Sequence, residues 1–140
     1  MNPEKLALNS AIIFTKLERS ITHIESKAKA IEAAQAALDK KAKDMVVLEL
    51  KDLTIIADYF VVCSGESTTQ VKAIVENVEK KLREYGQKPM GIEGLNTARW
   101  VLMDYGDVIV HVFEEETRAY YELEKFWLDA PRIPFEKEVN

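Results

Sequence analysis

The side chains in this chain best suited to chemistry gather in and around Arg99–Phe113, RWVLMDYGDVIVHVF, where Trp100, Asp104, Tyr105 and His111 stand close together. Two carboxylates along one strand, as Asp-x-Asp or Asp-x-Glu, would hold Mg²⁺ and position phosphates for nucleotidyl transfer. Here Asp104 and Asp107 fall on either side of a turn, and no such pair lies along a strand. His111 followed by Glu114–Glu116 suggests a metal, but no second histidine stands nearby, His23 being far off. Acids at a helix start are better explained by the helix dipole. Cys63 and His111 are the residue types of a Cys–His nucleophile pair. Cys63 sits in an apolar run, however, where a thiol lacks the exposure and positive setting that reactivity needs. Ser64-Gly65-Glu66-Ser67 separates a strand from a helix start, a place where backbone amides can hold an anion. It lacks the Gly-Lys-Ser/Thr ending of a phosphate loop and the glycines of a dinucleotide fingerprint. A turn with a helix cap is the stronger reading. No catalytic residue, metal or cofactor is expected, and the chain is not expected to be an enzyme.

What the segment does offer is shape. Alternation along a strand puts Trp100, Leu102 and Asp104 on one face and Val101, Met103 and Tyr105 on the other. A solvent-facing Trp100 would be an interface anchor, since aromatic residues dominate binding hot spots. Under a covering helix it would be core. The sequence leaves the two open.

Several elements must position these groups. The segment itself reads as a β-hairpin, two β-prone apolar runs around Asp104-Tyr105-Gly106-Asp107. Met45–Leu50 and Asp58–Ser64 read as buried strands. Ser67-Thr68-Thr69-Gln70 has capping-box form. Val71, Ile74, Val75, Val78 and Leu82 then follow at helical spacing, with Gly86 at the helix end. The strand–helix–strand unit of about 59–64, 68–85 and 99–104 predicts a right-handed parallel crossover. Ser26–Ala42 is rich in helix formers, with Ile31, Ala34 and Leu38 on one stripe. A last helix is expected over Glu115–Leu128, with Tyr120, Leu123 and Trp127 on its apolar side and Pro131 beyond its end. Residues 1–25 form an N-terminal extension, helical or loosely held, in which Ile13, Leu17, Ile21 and Ile24 recur at four, four and three. The expected architecture is α/β: a mixed sheet of four to five strands flanked by helices.

With 140 residues, 47% apolar and 31% charged, the chain suits one soluble domain. No apolar run is long enough to span a membrane. The single cysteine forms no internal disulfide, and a cytoplasmic setting is expected. Residues 1–43 carry 8 Lys/Arg against 5 Asp/Glu, while residues 44–140 carry 11 against 19. A body with that balance of −8 predicts little direct nucleic-acid binding and favours a basic partner, or simply solubility.

A further pattern runs through the chain: Asp58-Tyr59-Phe60-Val61-Val62, Ser64-Gly65-x-Ser67, Gln70-Val71-x-Ala73-Ile74 and Glu93-Gly94. It continues with Trp100-Val101-Leu102-Met103-Asp104-Tyr105-Gly106-Asp107-Val108, Val110-His111 and Arg118-x-Tyr120-Tyr121-x-Leu123-Glu124-x-x-Trp127. This pattern, over about residues 28–130, resembles the ribosomal silencing factor (Iojap-like) family. The resemblance implies a nucleotidyltransferase-like fold without the enzymes' metal-binding acids, with residues 26–140 as the silencing-factor domain. It also implies binding to the large ribosomal subunit through universal ribosomal protein fourteen, which blocks joining of the small subunit and represses translation. Carried over by motif, Trp100, Leu102, Met103, Asp104 and Tyr105 are the expected contacts, with Arg118 and Tyr121 as weaker ones. A large-subunit assembly factor and a nucleotide-binding protein are the alternatives. The apolar stripe of the extension and the hairpin edge also leave room for a homodimer.

Overall fold

The computed structural model describes residues 24–134. A first helix, α1 (Ser26–Leu38), leads into β1 (Lys43–Glu49) and β2 (Tyr59–Gly65). Then come α2 (Thr68–Glu84), β3 (Gly91–Glu93), β4 (Trp100–Asp104), β5 (Val108–Glu114), α3 (Glu115–Tyr121) and a 3-10 turn over Leu123–Trp127. The five strands form one mixed sheet in the order β1-β2-β5-β4-β3.

The hairpin forms as expected, β4 against β5 from Trp100↔Phe113 to Asp104↔Ile109. The parallel neighbour differs from expectation. β2 pairs in parallel with β5, Tyr59↔Val108 through Gly65↔Glu114, and β4 lies beyond β5. Burial explains the choice. Val108–Phe113 is buried at every position, which suits the centre of a sheet covered on both faces. β4 alternates between half-buried and buried residues, a pattern that belongs nearer the edge.

One face of the sheet carries Val47, Tyr59, Val61, Cys63, Val101, Met103, Val110 and Val112, packed against α1 and α2. The apolar row of α2 is buried as its spacing predicts. α1 differs: its buried face is alanine (Ala30, Ala33, Ala34, Ala36, Ala37), while Ile31 and Leu38 are only half-buried. Small side chains let α1 lie close to α2, where Asn77 Nδ2 donates to the Ala36 carbonyl at 2.7 Å. Near its start, Lys29 is buried and pairs with Asp107 in the hairpin turn, 2.6 Å apart.

The other face carries Leu48, Phe60, Val62, Ile109 and Phe113, with Trp100, Leu102, Leu123 and Trp127 packed around them. The expected last helix is interrupted here. Glu122 takes a left-handed conformation (φ 49°, ψ 48°), and the chain re-enters as the 3-10 turn. The break swings Leu123 and Trp127 onto the sheet and leaves Tyr120 pointing outward, 81% exposed. The chain then pairs with the free edge of β1, Glu49 N–H donating to the Pro131 carbonyl and Ile133 N–H to Val47, both at 2.8 Å. Apart from Ile24 and Glu25, the expectation of an apolar stripe in the extension falls outside the described residues.

Candidate functional site

Trp100 lies at the start of β4 on the face with the thinner cover. Its ring stacks on Phe113 (centroids 4.8 Å apart) and tilts against Tyr121 at 5.0 Å. Its Nε1–H donates to His111 Nδ1 at 3.1 Å. The indole is therefore held from beneath while remaining half-buried. Gly94 helps to set its place. With φ at +84°, it packs so tightly that a Cβ would stand 2.1 Å from the Trp100 carbonyl oxygen, so no side chain fits.

Two clefts flank the ring. The larger, about 530 Å³, is lined by Trp100, Arg99, Glu114, Glu116, Tyr120 and Tyr121 together with Thr97 and Thr117. The smaller, about 300 Å³, is lined by Glu93, Gly94, Trp100 and Leu102. Tyr120, Glu114, Glu116 and Arg99 were not among the expected contacts. Tyr120 was assigned to the buried side of a continuous helix, and only the break at Glu122 turns it outward.

The remaining expected contacts divide. Leu102 and Asp104 share the Trp100 side of β4 and are half-buried, and Tyr121 is exposed. Met103 and Tyr105 point the other way, beneath the helices, and are 0% and 6% exposed. Strand alternation imposes this, so these two side chains are core rather than surface. Asp104 Oδ1 accepts the Gly106 N–H at 2.8 Å and shapes the hairpin turn. Arg118 is clamped: its Nε donates to Glu124 at 3.1 Å and its Nη1 to Ser64 Oγ at 2.9 Å.

The groups considered for chemistry are kept apart or already used. Cys63 is fully buried on the helix-covered face, where desolvation pushes its thiol up to about 12. His111 pairs with Val62 on β2 and lies on the opposite face, so the two cannot meet. Burial lowers His111 to about 4, leaving a neutral ring. An indole N–H only donates, so Nδ1 must accept and the proton sits on Nε2, which is buried with no partner among the described residues. At the Ser64–Ser67 turn, Ser67 Oγ accepts the Gln70 N–H at 3.1 Å. Gln70 Oε1 takes the Glu66 N–H at 2.6 Å, while its Nε2 donates to the carbonyls of Lys40 and Lys41. The turn is filled by its own cap. Glu114 precedes α3 without a side-chain capping bond, and Glu115 and Glu116 occupy the first turn. Among the described residues no three His, Cys, Asp or Glu side chains gather as a metal site, and no helix is long and apolar enough to cross a membrane.

Comparison with known proteins identifies the family. The family model described as ribosomal silencing factor during starvation (RsfS) matches residues 23–140. This chain belongs to the ribosomal silencing factor family. It is 48% identical to the ribosomal silencing factor RsfS of Halalkalibacterium halodurans over 108 residues, 77% of this chain and 92% of that protein. A crystal structure from Chromobacterium violaceum superposes with a TM-score of 0.73 at 36% identity, covering 84% of this chain and 95% of the other. A mouse relative named mitochondrial assembly of ribosomal large subunit protein 1 is 34% identical over 63% of this chain and 40% of its own length. The family match extends past the resembling stretch of 28–130 at both ends, and the mixed α/β fold is shared with solved family structures.

Proposed function

We propose that this silencing-factor family member binds the large ribosomal subunit through universal ribosomal protein fourteen and excludes the small subunit sterically, repressing translation without turnover. The observation that carries this is the half-exposed Trp100, locked from below by Phe113, Tyr121 and His111. Trp100, Leu102, Asp104, Tyr120 and Tyr121 form the contact surface. Met103, Tyr105 and Arg118 support it from within. The acidic body suits a basic ribosomal protein, with attraction acting chiefly on the encounter rate. Steric blocking needs only that the factor exceed its dissociation constant, since mass action then favours the blocked subunit.

Mixing purified subunits with excess protein and sedimenting them tests this directly. The joined fraction should fall, and Trp100→Ala should weaken the effect by about 2 kcal/mol, some thirtyfold in concentration. Normal joining in excess wild-type protein would overturn the proposal. The name of the mouse relative favours a second reading, a factor in large-subunit assembly. That reading predicts precursor particles in gradients of a deletion strain, which subunit exclusion alone does not. Calorimetric heat of binding with ATP and Mg²⁺ would instead favour the nucleotide-binding alternative.

A further inference from the structure

The cleft of about 530 Å³ beside Trp100 has walls of two kinds. One wall is aromatic. Trp100, Tyr121 and Tyr120 follow one another with centroids 5.0 Å and 5.1 Å apart, and successive rings are turned by 50° and 86°. Rings set at such angles do not close on each other as a stack, and Tyr120 and Tyr121 stay exposed. The Trp100 N–H is already engaged by His111, so the indole can offer the cleft only its π surface.

The other wall is anionic. Glu114 ends β5, its N–H donating to the Arg99 carbonyl at 2.8 Å, and Glu116 follows in the first turn of α3. Of the three consecutive glutamates, Glu115 lies 3.8 Å from Lys43 and lines a different cleft. Glu114 and Glu116 line this one and, among the described residues, pair with no cation. Arg99, exposed in the same cleft, is within ion-pair distance of neither.

Such walls select a cation. An apolar side chain would strip water from two carboxylates and return no hydrogen bond. A nucleotide could stack on the rings, but its phosphates would meet the glutamates. A guanidinium satisfies both walls at once, its flat face against a ring and its N–H fork toward a carboxylate. An ammonium is a point charge with no plane to stack.

We propose that this cleft receives an arginine side chain of the partner, held between the aromatic wall and Glu114 and Glu116. The proposal deepens the ribosomal reading, on which it rests for the partner's basic character, and adds an arginine subsite in the cleft that Leu102 does not line.

Binding of the full chain to purified large subunits, and NMR titration of the chain with N-acetylarginine amide, test it. The double variant Glu114→Gln, Glu116→Gln should raise the Kd for subunits about tenfold, and Tyr120→Ala by a similar factor. N-acetylarginine amide should shift the Trp100 indole N–H and the Tyr121 amide saturably, and its uncharged citrulline analogue should not. Wild-type affinity in the double variant and in Tyr120→Ala, with Trp100→Ala still impaired, would overturn the subsite and leave the ribosomal reading standing. Equal or absent shifts with the two compounds would also overturn it. Saturable shifts with an oligouridylate instead would assign the rings to RNA. Failure of the wild type to bind subunits would overturn the ribosomal reading itself, and the partner's arginine with it.

Discussion

An imidazole with one nitrogen bound to an indole and the other sealed from solvent makes His111 a sensor of acid, though not at physiological pH. Its folded value of about 4 lies below the ordinary 6.5, so the unfolded chain takes up the proton first. The resulting contribution is complete above pH 6.5 and is withdrawn as pH falls toward 4, by roughly 3 kcal/mol. Denaturant unfolding between pH 7 and 4.5 should therefore show the wild type losing more stability than His111→Gln, which keeps an acceptor for Trp100 but does not titrate. Parallel curves would mean that burial of the neutral ring contributes nothing. Much at this scale was readable in advance. The burial of Cys63 followed from its apolar run and the Ser67 cap from its spacing to Gln70. The Trp100–His111 bond was not, because residues eleven apart meet only once the hairpin register is fixed.

Among the elements, α1 is joined to the hairpin turn by one nearly buried ion, Lys29, with Asp107 more exposed. Removing the carboxylate leaves an ammonium stranded at the helix–turn junction, whereas removing the ammonium with a side chain of similar bulk does not. Asp107→Ala should cost about 2–3 kcal/mol in urea unfolding, and Lys29→Met distinctly less. The reverse order would show that the pair contributes net attraction rather than mutual tolerance. Strands β1, β2 and β5 were legible as unbroken apolar runs, and β4 and helix α2 by their own hydrophobic periods. β3 was not, since Gly91–Glu93 is too short to show one. The neighbour of β2 was misjudged because adjacency in sequence suggested β4, while burial on both faces selected β5. The break at Glu122 left no mark in the sequence, because a left-handed glutamate is chosen by where Leu123 and Trp127 must land.

For the molecule as a whole, the excess of acid over residues 44–140 should show in association kinetics. Raising salt from 50 to 300 mM should slow capture by the large subunit about tenfold and leave dissociation nearly unchanged. A salt-independent on-rate would reduce the acidic surface to a solubility device. The pairing of Pro131–Ile133 with β1 has a bearing on how such a protein survives in the cell. Crowded copies of a protein with bare strand margins tend to zip together. Here one margin is hemmed by the chain's own tail and the other ends in a strand of three residues. Trimming the tail before Pro131 would unhem the sheet and invite filaments long before it disturbed the tryptophan at the far corner.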